Sequence, residues 1–156
     1  MTDPLSDPRA RDLIAAVPGE LGNLASGLAQ AAGDSALTAH GLSAVQQDPS
    51  WTGPAADAFR GSLARVPRQL GRIQSRLAIV STALAAYEDG LVEVRAAFVR
   101  TVARLADAEA RASSPLPAGG WEGEVERLRA LAARLLDEFD ALRADCRGRI
   151  ASVDGA

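Results

Sequence analysis

Counting every seventh residue from Ala56 gives Leu63, Leu70, Leu77, Leu84, Leu91, Phe98 and Leu105. Three places after each stand Phe59, Val66, Ile73, Val80, Tyr87, Val94, Thr101 and Ala108. Alternating steps of three and four keep these side chains on one stripe of an α-helix, the seam of a coiled coil. The pattern predicts one unbroken helix from about 55 to 112, roughly 87 Å long at the α-helical rise. Pro67 removes a backbone donor and should kink it near its start, and Gly90 is a potential stop. The register passes from Leu84 to Leu91 without a slip, which favours a helix continuous through Gly90.

Such a seam needs cover, and the rest of the chain offers two shorter helices. Leu21, Leu24, Leu28, Ala31, Leu42 and Val45 predict a helix from about 19 to 46, weakened by a kink or break near Gly33. A dense turn signal follows at 48–54, Asp48-Pro49-Ser50-Trp51-Thr52-Gly53-Pro54. A Pro- and Gly-rich loop at 113–120 precedes a third helix at about 121–151, with Val125, Leu128, Ala132, Leu135, Phe139, Leu142, Cys146 and Val153 on one stripe. Ahead of all this, Asp7-Pro8 reads as an N-cap with proline at the first helical position, opening a short turn or two through Val17; Pro18 then restarts the chain. The two outer helices together match the length of the central one. The predicted fold is therefore all-α: an elongated antiparallel helical hairpin, one very long central helix flanked by two shorter ones, in a single domain over 1–156.

Composition removes several classes of function. A net charge of -3 offers no general attraction to nucleic acid or anionic lipid. The N-terminus lacks a basic start and an apolar run, and no stretch is apolar enough to span a membrane. One cysteine, Cys146, and one histidine, His40, supply no metal set, and no cofactor motif is present. His40 is expected in solvent and Cys146 in the seam of the third helix. Acid–base or nucleophilic chemistry needs partnered groups that this chain lacks, so an enzyme is not expected.

Two surface patterns are candidate docking sites. Arg65, Arg68, Arg72 and Arg76 form a basic stripe with no acid between Asp57 and Glu88, suited to an acidic helix or answered internally by Glu20 or Asp34. Ile79, Val92, Val99 and Val102 lie beside the central seam, and Leu131 and Leu136 beside that of the third helix. Apolar flanks of that extent exceed what one neighbouring helix buries and mark a candidate partner interface.

Trp51-Thr52-Gly53 between two long helices, continued by Gly-Pro-Ala-Ala-Asp-Ala-Phe and Val66-Pro67, resembles the W-x-G turn of the WXG (ESAT-six-like) family. These are helical hairpins exported by the type VII (ESX) secretion system. The segment also resembles the N-terminal targeting regions of large actinobacterial effectors that use this route. The resemblance covers about residues 10–112 and implies an interaction module pairing with a small helical-hairpin protein as a heterodimer, or with itself. It further implies non-Sec secretion or a cytoplasmic stage before export, and recognition by a secretion ATPase through a composite signal of which Trp51 and Gly53 are half. The other half, Tyr-x-x-x-Asp/Glu, is not met here: the only tyrosine, Tyr87, is followed four residues on by Leu91, so either a partner supplies it or the chain is not itself a secreted substrate. Trp121-Glu122-Gly123 repeats the three letters without further similarity. A cytoplasmic coiled-coil scaffold and a membrane-active helical toxin are the alternative readings.

Overall fold

Proline at 67 decides how the central segment is built. In the computed structural model, which describes residues 4–17, 19–113 and 121–153, the expected helix at 55–112 is two helices, α3 (Pro54–Leu63) and α4 (Val66–Ala112). The unbroken reading is thus corrected at Ala64-Arg65. Pro67 has no N–H for the carbonyl of Leu63, and its ring crowds that carbonyl. Ending α3 at Leu63 and restarting at Val66 puts Pro67 in the first turn of α4, where a missing donor costs nothing. Beyond it α4 runs through Gly90 to Ala112.

The remaining elements are a short 3-10 turn at Pro4–Ser6, α1 (Pro8–Ala15), α2 (Glu20–Gln47) and α5 (Trp121–Ala151). All the regular structure among the described residues is helical. Asp7 caps α1, its carboxylate accepting from the Arg9 amide at 2.9 Å. The break anticipated near Gly33 does not occur. Ser35, Thr38 and Ser43 each donate a hydroxyl to the carbonyl four residues back, so no polar group demands an interruption. Pro18 and the loop at 114–120 lie outside the described residues.

The described chain falls into two compact units. The first comprises Met1–Glu20 and Ala86–Gly148. Within it α4 and α5 are antiparallel: a Cβ at Gly90 would meet the tip of Leu142, and Arg111 stacks over Trp121. Gly90 to Arg111 and Trp121 to Leu142 are the same number of steps, taken in opposite directions. Leu91, Val94 and Phe98 of α4 pack with Leu135, Leu136 and Phe139 of α5, and α1 completes this core with Ala10 and Leu13, both wholly buried. A second cluster joins Leu105 and Ala108 to Val125 and Leu128, closed by Trp121. The N-terminal segment is tied down by Arg9, which reaches Asp137 at 2.9 Å and Asp140 at 3.2 Å, by Arg95 donating to the Ile14 carbonyl, and by the Gly19 amide donating to Glu88. Asp7, Asp137 and Asp140 hold the Arg9 guanidinium charged well above its ordinary range.

The second unit comprises Leu21–Ala85 and Arg149–Ala156. The Ser81 hydroxyl donates to the Ala25 carbonyl at 2.8 Å, and Arg60 donates to the Gln46 carbonyl at 3.0 Å. Again the intervals match with opposite sense, so α2 is antiparallel to α3 and the first part of α4. The hydrophobic side chains buried on these helices are Ala25, Ala32, Ala56 and Ala83. Seam residues that pack fully in the first unit, such as Leu91 and Phe98, have counterparts here, Leu70 and Leu77, that are only half-buried, and Ile73 is 47% exposed.

Phe98→Ala should therefore lower stability by about 3–5 kcal/mol, while Ile73→Ala, also on the seam, should cost under about 1 kcal/mol, read from urea denaturation. Gly90→Ala brings a Cβ to 2.7 Å from Leu142 Cδ2. Overpacking there should outweigh the better helix propensity of alanine and give a net loss of about 1 kcal/mol. A stabilised variant would mean that Leu142 turns aside freely.

Candidate interaction surfaces

The W-x-G turn is held by an arginine. The last carbonyls of α2 have no intrahelical donors and carry the negative end of the helix dipole. Arg60, two turns into α3, donates Nε to the Gln46 carbonyl and Nη2 to the carbonyls of Asp48, at 2.9 Å, and Trp51, at 2.6 Å. Its Nη1 reaches Asp57 at 3.3 Å. Asp48 makes its own local turn, accepting from the Ser50 amide at 2.8 Å and the Ser50 hydroxyl at 2.6 Å. Those bonds, the hydroxyl's first, hold its carboxyl below the usual range, so this local turn contributes most above ordinary carboxylate pKa values and is lost as pH falls through the lowered one.

Gly53 sits at φ 103° and ψ 175° as the N-cap of α3, a conformation essentially restricted to glycine, and its carbonyl accepts from the Asp57 amide. Pro54 begins the helix with its ring pre-set. Trp51 lies at the tip, tilted 57° against Phe59 with ring centroids 5.1 Å apart, and remains partly exposed. The motif is thus a fixed platform for a half-bared indole. Arg60 was not legible as its clamp: nothing in the spacing marks an arginine that turns back to collect three carbonyls.

The basic stripe is real and unanswered. Arg65, Arg68, Arg72 and Arg76 are all exposed, and among the described residues no carboxylate, Asp34 included, pairs with any of them. Arg68, Arg72 and Arg76 line an open groove of about 490 Å³ with Ser75, Ile79 and the buried Val153.

The six apolar interface candidates separate. Ile79 is exposed on the second unit, and Val92 and Val99 on the first. Val102 and Leu131 are half-buried against the first unit's core. Leu136 is corrected: only 2% exposed, it belongs to that core and offers nothing to a partner, because α1 brings Ala10 and Leu13 into the same cluster. His40 is exposed on α2 and Cys146 is buried on α5. Among the described residues no group of three or more His, Cys, Asp or Glu is placed to hold a metal ion, and no helix is long and apolar enough to cross a membrane. No family model, curated protein or solved structure matches the chain.

Arg60→Ala should cost about 2 kcal/mol and speed amide exchange around residues 46–52, with Arg60→Lys recovering little because an ammonium lacks the guanidinium fork. Gly53→Ala should cost a further about 1–3 kcal/mol through backbone strain, measured by the same exchange experiment.

Proposed function

We propose that this chain is a protein-interaction module whose second unit docks a small helical-hairpin partner, in the manner of WXG-like type VII secretion substrates or of effector targeting regions. One observation carries the reading. The helices of the second unit bury only alanines among their hydrophobic side chains, while Leu24, Leu37, Val45, Ile73 and Ile79 stand exposed on them and Trp51 on the turn between α2 and α3. A two-helix layer cannot enclose two seams, and each large side chain that a partner covers contributes roughly 1.5–3 kcal/mol. The basic stripe beside Ile79 gives such a partner an acidic margin to match.

Tyr87 and Leu91 support a signal completed from outside. Leu91 is 2% exposed in the first unit's core, so a carboxylate at that place would be buried without a partner. The chain therefore relies on its partner for the Tyr-x-x-x-Asp/Glu half. No residue of the module acts on a substrate in this reading, and the protein is no enzyme. Its cytoplasmic stage precedes export as the bound pair.

Co-expression with the product of an adjacent small reading frame encoding a helical hairpin should give a complex in which amides of residues 21–85 gain protection from exchange. Trp51→Ala should leave the circular dichroism spectrum unchanged and reduce both complex formation and appearance in culture supernatant. Undiminished export of that variant would remove Trp51 from the signal. A complex that forms but never leaves the cell would favour the scaffold reading.

A further inference from the structure

The back of α4 within the first unit carries a second seam. Val92, Ala96, Val99, Ala103, Ala106 and Ala110 follow one another at alternating steps of four and three, on the side opposite the buried Leu91, Phe98 and Leu105. All six are exposed, with Val92 at 44% and Val99 at 49%, and no charged residue interrupts the run. A helix with solvent behind it ordinarily turns charged residues outward there, and one that is apolar on both sides is ordinarily covered on both.

The charges along one margin say what covers it. Glu93, Arg100 and Asp107 stand seven residues apart, alternating in sign on the same flank, and among the described residues none has an ion-pair partner. On the other flank Arg95 is engaged with the Ile14 carbonyl, Val102 is half-buried against the core and Glu109 is paired with Arg129. In a parallel pair of identical helices the two flanks face each other, which would leave Arg100 and Asp107 unmatched. In an antiparallel pair each flank meets its own copy, and a series of alternating sign is then self-complementary.

We propose that a second copy of this chain lies antiparallel across this face, the two α4 helices crossing at Ala103 and Ala106, with Arg100 of each copy facing Asp107 of the other. Alanines at the crossing let the backbones approach closely, and Val99 packs over Ala110 of the second copy. The alternative register, which sets Arg100 against Glu93, brings Asp89 into the apolar layer opposite Ala106 and is disfavoured for that reason. This surface belongs to the first unit alone and stands independently of any partner on the second.

Sedimentation equilibrium of the full chain, with circular dichroism to confirm helicity, tests it. The unaltered protein should be a dimer in the micromolar range and Val99→Glu a folded monomer. Arg100→Asp and Asp107→Arg should each weaken association about tenfold, the two together should restore it, and Glu93→Arg should change little. A monomer at all concentrations, association indifferent to Val99→Glu, failure of the double exchange to restore it, or loss of the dimer on Ile73→Glu instead would overturn the proposal. Capture of a helical-hairpin partner by the Val99→Glu chain is read separately and reports only on the second unit.

Discussion

Everything in this molecule turns on what is laid against the seam of α4. That helix presents leucine, valine and phenylalanine at a constant spacing, but its two stretches meet unlike neighbours. In the first unit α5 supplies Val125, Leu128, Leu135 and Phe139, large enough to interdigitate with Leu91, Phe98 and Leu105, and α1 fills the remaining space. In the second unit α2 offers Ala25 and Ala32, whose side chains fill little volume and leave the leucines of α4 partly wet. Packing density is what separates a finished core from an aligned pair of helices. One unit is finished by this measure and the other is not.

The arginines show how the ends of these elements are secured. Arg60 draws together the carbonyls around the turn after α2, and Arg9 bridges the cap of α1 to two carboxylates on α5. The planar fork serves both, since it reaches several oxygens at once. These pairs are solvent-accessible and each contributes modestly to stability. Their effect is geometric: they fix where short segments lie on surfaces that apolar contacts alone leave adjustable.

Much of this was legible from residue spacing and some was not. The seam, the turn at 48–54 and the start of the last helix at Trp121 are properties of local sequence, and periodicity and turn chemistry record them directly. The break before Pro67 was signalled by the proline but underestimated, because an uninterrupted heptad register argued against it. A register can be kept across a two-residue turn when both helices face one neighbour. Gly33 misled in the other direction, since a glycine in a helix lowers propensity by about 1 kcal/mol, too little to break one whose hydroxyls bond to their own backbone. The burial of Leu136 depends on α1, an eight-residue helix whose docking place is a tertiary fact that no local pattern encodes. Arg60 escaped notice for the same reason: its partners are carbonyls, which every residue has.

The alanine-lined contact of the second unit has a consequence for how the molecule opens. The leucines beside those alanines, Leu28 and Leu42 on α2 and Leu70 and Leu77 on α4, are already half-wet, so parting α2 from its neighbour exposes less new apolar area per residue than dismantling the core around Phe98. A single continuous helix therefore spans two regimes of cooperativity, firm beyond Leu91 and pliant before it.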